Sequence, residues 1–271
     1  MTEMRKRGRP RAFHDNTAQN TIQSLDRAMM ILTQVSVAGG STLTKLATEL
    51  DQSTATVYRV LSTLEARDIV EMEPISQTWH VGAGAFRIGS SFLRRTNLVE
   101  RARPLMQELM IQTGETANLG VRSADQVLFV SQVETHATIR AFFPPGTMSL
   151  MHASGIGKAL MAQMAKPEID RLLSAVTLTQ FTAKTICDPD ALRCELGLTR
   201  ERGYSIDDEE RNEGMRCVAA PVFNALGVAV AGISVSGPTS RVRHCEVDTF
   251  AQHVKSAAAG LSAALGATER Q

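Results

Sequence analysis

"STATVYRVLSTLEARD", residues 53–68, decides the first half of the fold. Val57, Val60, Leu61 and Leu64 recur at helical spacing and point one way. Ser53 is suited to cap the helix, because its hydroxyl can accept from a first-turn N–H. The helix start and outer face carry Ser53, Thr54, Thr56, Tyr58 and Arg59 in place of the usual Glu/Lys mixture. Hydroxyls, a phenol and a guanidinium are the groups that read base edges and phosphates. The plainer alternative is a solvated helix face.

The neighbours favour DNA. Upstream, "TLTKLATEL" (42–50) is a short helix with Leu43, Leu46, Ala47 and Leu50 on one stripe, set off by the chain break "AGGS" (38–41). A helix over 20–36 precedes it, with Ile22, Leu25, Met29, Leu32 and Val35 at helical spacing. A short helix, a tight turn and a longer helix make a helix-turn-helix, whose second helix enters a major groove. Downstream, strand-like "IVEME" (69–73) and "TWHVG" (78–82) add a hairpin, which makes the unit a winged helix. "GAFRIGSSFLRR" (84–95) is an amphipathic linker helix, whose apolar stripe serves either its own domain or a second copy.

Net charge hides an asymmetry. The 271 residues are 43% apolar and 21% charged with a formal charge of +1, which suits modest globular domains with real cores. Residues 1–14 nevertheless hold five Lys/Arg against one acid. This arm has too few apolar residues to fold alone. Its "RGRPR" (7–11) resembles an AT-hook core, placing Arg7 and Arg9 to enter a narrow minor groove. No apolar run approaches the roughly 20 residues of a membrane span, and there is no apolar secretory segment. Cys187, Cys194, Cys217 and Cys245 form no CxxC pair and no zinc-ligand spacing, so a reduced cytoplasmic chain without metal or cofactor is expected.

Beyond residue 100 the pattern alternates. "ARPLMQELMIQT" is helical, and "TANLGVR", "QVLFVSQ" and "TIRAFF" are strand-like, closed by a "PPG" turn. "KPEIDRLLSAV" and "DPDALRCELGLTRERG" are helical; "RCVAAPVF" and "GVAVAGISVSG" are apolar strands; a helix over 246–265 ends the chain. Interleaved strands and flanking helices imply an α+β domain on an antiparallel sheet. The expected division is a basic arm over 1–19, a winged helix over 20–83, a linker helix over 84–99 and a second domain over 100–271.

"MHASGIGKAL" (151–160) looks built to hold an anion. A phosphate loop would need glycine where His152 stands and a hydroxyl where Ala159 stands, so nucleotide binding fails. What survives is a helix start whose Gly155 and Gly157 admit a close ligand and whose N–H groups favour negative charge. In 228–236, strand alternation places Ser234 and Ser236 on one face, opposite Ala231, Ile233 and Val235. If buried, those serines need partners; otherwise they meet water. Asp207 opens the acids of "YSIDDEERNEG", read as a loop. Cys217, His152 and Asp207 could also be read as a nucleophile, base and orienter, but an unactivated cysteine in an apolar strand is usually inert.

Three segments together resemble one family. "RERGYSIDDEERNEGMRCVAAPVFNALGVAVAGISVSGP" (200–238) is similar to the effector-domain signature of the IclR family of bacterial transcription regulators, and "HASGIGKAL" to its other characteristic segment. "LTKLATELDQSTATVYRVLSTLEARDIVE" resembles the family's winged helix, so the likeness covers about residues 20–265. Stretches such as "GETANL" are most similar to the family's glyoxylate-responsive members. The resemblance implies a GAF-like effector-binding domain, operator DNA as partner, and dimers or tetramers. It also implies a glyoxylate pocket using the backbone at Gly155 and Ile156 together with Asp207, Cys217, Ser234 and Ser236. Thr135 stands where those members carry a cysteine. A sensor of aromatic or sugar acids on the same fold is the main alternative.

Overall fold

Ser53 does cap the helix that follows it. Its Oγ accepts from Thr56 N at 3.2 Å, opening α3 (Thr54–Glu65). In this computed structural model residues 21–94 and 98–267 are described; the basic arm, with Arg7 and Arg9, lies outside them. Two compact units divide between Phe92 and Leu93.

The first unit runs α1 (Gln23–Val37), β1 (Ser41–Thr42), α2 (Leu43–Glu49), α3, β2 (Val70–Glu73) and β3 (Thr78–Val81), then most of α4 (Ala83–Arg94). The strands form an antiparallel sheet in the order β1-β3-β2, the wing. Ser41, read as part of a chain break, and Thr42, read as the start of the short helix, pair with Trp79 and Thr78 instead. The core gathers Ile31, Val35, Leu46, Val57, Leu61, Val70 and Trp79. The stripe expected of α1 holds at Leu32 and Val35 and is corrected at its start. Ile22, Leu25 and Met29 are exposed, and Ile31 is buried in their place. This helix is apolar on more than one stripe, and periodicity alone could not say which one the small core would seat.

The second unit is a six-stranded antiparallel sheet, with helices from both sides. Its elements are α5 (Leu98–Thr113), β4 (Thr116–Ser123), β5 (Gln126–Val133), β6 (Met148–Leu150), α6 (Gly155–Met161) and α7 (Lys166–Ala175). There follow α8 (Pro189–Arg202), β7 (Ser205–Asp208), β8 (Met215–Phe223), β9 (Ala229–Pro238) and α9 (Val247–Ala264). Strand order is β6-β5-β4-β9-β8-β7. Alternation divides the residues between two cores. Leu119, Ile233 and Val235 pack with Met106 and Leu109 of α5 and with Val254 and Leu261 of α9. On the other face Val127, Phe129 and Ala219 pack with Ile156 and Leu160 of α6 and Leu192 of α8. Asp188 caps α8, its Oδ1 accepting from Ala191 N at 2.8 Å, and Gly203 ends it in the left-handed region at φ 79°.

Two expectations are corrected here. "TIRAFF" (138–143) is not a strand, because the place beside β5 is taken by β6, with Gln126 opposite Leu150. Side chains hold the irregular segment instead: Thr135 Oγ1 donates to the Gly114 carbonyl at 2.7 Å and Arg241 donates to that of Ile139 at 2.8 Å. Thr135 therefore has a structural partner. Asp207 belongs to no loop. It lies in β7, a short edge strand, directly opposite Cys217 of β8.

Candidate DNA-reading helix and effector cavity

The outer face of α3 presents Thr54, Tyr58 and Arg59 to solvent, Tyr58 at 55% exposure. Ser53 Oγ donates to Thr56 Oγ1 at 2.8 Å, so both hydroxyls serve the cap while remaining at the surface. Arg59 has no acidic partner among the described residues. Arg27 of α1, passed over by sequence reading, lines the same groove as Thr56, Tyr58 and Arg59. Only the packing of α1 against α3 brings it there.

The second site lies on the α6 side of the sheet. Gly232 allows α6 to sit down on β9: a Cβ there would stand 2.7 Å from Ile156 Cγ2. A Cβ on Gly155 would stand 2.8 Å from Cys217 Sγ. Both glycines let the helix start approach the strands at a distance no side chain would permit. Ser154 caps α6, its Oγ accepting from Gly157 N at 3.3 Å, while its carbonyl accepts from Lys158 N at 2.9 Å. The N–H groups of Gly155 and Ile156 thus keep the free first-turn positions of a helix.

Gly155, Ile156, Asp207, Cys217, Ser234 and Ser236 line one cavity, with about 290 Å³ of empty space counting its mouth. Ser149, Phe129, Phe143 and Arg211 complete much of its wall. The two phenyl rings stack, centroids 4.9 Å apart. Sequence reading missed these four, since a Phe in an apolar run carries no sign of which cavity it will face. The serines do not meet water. Ser234 is 1% exposed and Ser236 4%. Ser236 Oγ accepts from Asn118 Nδ2 at 3.3 Å, whereas Ser234 Oγ has no hydrogen-bond partner among the described residues beyond the neighbouring Cys217 thiol.

Charge is handled in pairs. Asp207 Oδ1 accepts from Glu210 N at 2.8 Å and, more loosely, from Arg211 N at 3.4 Å. Burial nonetheless raises its pKa above the ordinary carboxylate range, against the pull of Lys158. Lys158 is fully buried and donates to Glu210 Oε1; Glu210 Oε2 is buried without a partner. Burial lifts Glu210 to about 7. Cys217 is pushed up to about 11, first by burial and then by Asp207 beside it, so at neutral pH it is a thiol. His152 is held elsewhere, its Nε2 2.9 Å from the Thr179 carbonyl, with its pKa lowered by burial. The imagined nucleophile and base are not brought together.

A winged helix-turn-helix carried on one chain with a sheet domain defines a DNA-binding transcriptional regulator. Residues 24–74 match the IclR helix-turn-helix domain and residues 90–263 match the bacterial transcriptional regulator IclR C-terminal domain. The chain belongs to the IclR family. It is 52% identical over 263 residues to the HTH-type transcriptional regulator BhcR of Paracoccus denitrificans (strain Pd 1222), covering 96% of this chain and 94% of that one. It is 34% identical over 267 residues to the HTH-type transcriptional repressor AllR of Escherichia coli (strain K12), covering 98% of each. The crystal structure of Thermotoga maritima IclR matches with a TM-score of 0.77 at 28% identity, over 91% of this chain and all of that one. No helix among the described residues is long and apolar enough to cross a membrane.

Proposed function

We propose that the operator affinity of this regulator is controlled by glyoxylate, or a closely similar small oxoacid, held in the cavity between α6 and the sheet. The observation that carries this reading is Ser234 Oγ, buried at 1% exposure with only the Cys217 thiol beside it, in the wall shared by all six residues. A buried hydroxyl with only a weak thiol partner, in the wall of a polar cavity, favours a ligand that accepts or donates there. The Gly155 and Ile156 N–H groups take the carboxylate as charge-assisted bonds. Ser234 and Ser236 bond the remaining oxygens. Asp207 accepts from the hydrated aldehyde, since a gem-diol offers two O–H donors. The closed part of the cavity offers about 20 Å³ to a water-sized sphere, far below the roughly 300–1,000 Å³ of drug-sized sites, which favours a small acid over an aromatic one. No chemistry follows binding, in keeping with the protonated state of Cys217.

On the DNA side, Arg59, Tyr58, Thr56, Thr54 and Ser53 contact the operator, and Arg7 and Arg9 of the arm enter the minor groove. A homodimer or tetramer working in the cytoplasm places two recognition helices on an inverted repeat. The ligand acts through different affinities for DNA-competent and DNA-incompetent forms, so operator DNA must alter glyoxylate affinity in return. Calorimetry with glyoxylate on wild type and Asp207→Ala tests the reading. Heat with wild type alone is expected. Equal affinity in both discards the pocket, and no heat with wild type discards the ligand.

A further inference from the structure

We propose that Arg211 is the cation that makes the cavity selective for an anion, and that the Phe181 ring holds it in place. The inference rests on the glyoxylate reading and deepens it. Arg211 lines the cavity, and its guanidinium carbon lies 3.9 Å from the centroid of the Phe181 ring. Arg193, Arg202, Arg216, Arg241 and Arg243 each pair with an Asp or Glu. Arg211 has no such partner among the described residues.

The charge balance of the wall gives this meaning. Asp207 contributes a carboxyl group to the cavity, and in its ionised form this repels an anionic ligand. Lys158 acts on that carboxyl only from behind the wall: its side chain is fully buried, bonded to Glu210 and not among the lining residues. Arg211 is therefore the uncommitted positive group among the lining residues. Stacking its flat face on Phe181 leaves the N–H edge available to a carboxylate. The ring is itself tied to the chain that carries Arg211. Thr185 Oγ1 accepts from Phe181 N at 3.0 Å and donates to the Glu210 carbonyl at 2.6 Å. Thr182 Oγ1 donates to the Glu209 carbonyl at 2.7 Å. Cation and platform are held as one piece.

The test measures two ligands on the full chain by calorimetry: glyoxylate, and glyoxylamide, its neutral counterpart of the same size, whose aldehyde also hydrates. Wild type should prefer the acid. Arg211→Gln should weaken glyoxylate about tenfold or more, the size of a lost charge-assisted hydrogen bond, while leaving the amide within about twofold. Arg211→Lys should recover part of the preference, and Phe181→Leu should weaken the acid alone. Arg211→Gln with an unchanged preference overturns this inference and leaves the pocket standing. Wild type that binds neither compound overturns the glyoxylate reading, and this inference with it. If Arg211→Gln loses both ligands, Arg211→Lys decides: acid binding restored upholds the charge role, and acid binding absent overturns it.

Discussion

Asp207 stands opposite Cys217 in the β7–β8 ladder, and Cys217 in turn opposite Ser236 of β9. Thr116 of β4 continues the same row. A carboxyl, a thiol and two hydroxyls thus cross four strands at one level. The row explains why the cavity is polar in an otherwise apolar layer; burial first, and then Asp207 beside it, disfavours the thiol as an anion.

Ligand choice should follow hydration. Glyoxylate is largely a gem-diol in water and can donate to Asp207; pyruvate hydrates far less; acetate has neither diol nor carbonyl. Thermal shifts should rank glyoxylate above pyruvate and leave acetate near zero, with about 2.7 kcal/mol of stabilisation at 100 times Kd. Acetate matching glyoxylate would show that only the carboxylate is read.

Arg59→Ala should lose about 1–3 kcal/mol of specific operator affinity if its guanidinium reads a base. Deleting residues 1–12 should weaken binding and flatten its dependence on salt, because fewer counterions are released. Gel-shift titrations over a range of salt concentrations separate the two. A deletion that leaves the slope unchanged removes the arm from the interface.

Lys158→Met should destabilise the protein at pH 8 by about 3–5 kcal/mol, since Glu210, without the cation that holds its pKa down, must either stay charged and buried unpaired or take up a proton. Replacing both, Lys158→Met with Glu210→Leu, should recover much of that loss. Urea unfolding of the three proteins gives the answer, and a harmless single substitution would mean that the pair is not held in a dry site.

The same glutamate gives stability a pH slope. Glu210 is lifted from 4.5 to about 7, so below 4.5 it is protonated whether folded or unfolded. Between those values the unfolded chain releases the proton first, and stability falls as pH rises. Relative to Glu210→Gln, which cannot titrate, wild type should lose stability from pH 5 to 7 and level off above. A rise over that window would show that Lys158 keeps Glu210 ionised.

Cys217 should resist alkylation at pH 8, where a thiol pushed up to about 11 is almost wholly protonated. Cys187, Cys194 and Cys245 are exposed and should label readily. Mass spectrometry of the native protein after brief iodoacetamide treatment distinguishes them, and fast labelling at Cys217 would reopen the case for an activated nucleophile.

Much of this was legible in the sequence for definite reasons. The helix-turn-helix has strong periodicity and a hydroxyl cap, and β9 alternates cleanly enough to put Ser234 and Ser236 on one face. What escaped depended on contacts between distant segments. Nothing near Lys158 in the sequence announces its partner, because Glu210 lies fifty-two positions later. Asp207 reads as loop because four residues at a sheet edge carry almost no periodic signal. Phe129, Phe143 and Arg211 face the cavity only because strand order brings them there. The α1 stripe held at Leu32 and Val35 but failed at Ile22, Leu25 and Met29 for the opposite reason: too many apolar residues fit the pattern.

The β4–β9 ladder at the centre of the sheet has a consequence for the birth of the protein. Asn118 and Ser236, which bond across it, are 118 positions apart. Such a pairing has to close a long loop before it gains anything, and topologies of this kind fold slowly. During translation the winged helix is complete long before residue 236 leaves the ribosome. A nascent chain therefore owns its DNA-reading half while its second domain is still unmade, and whatever control that domain exerts arrives later in synthesis than the fold it controls.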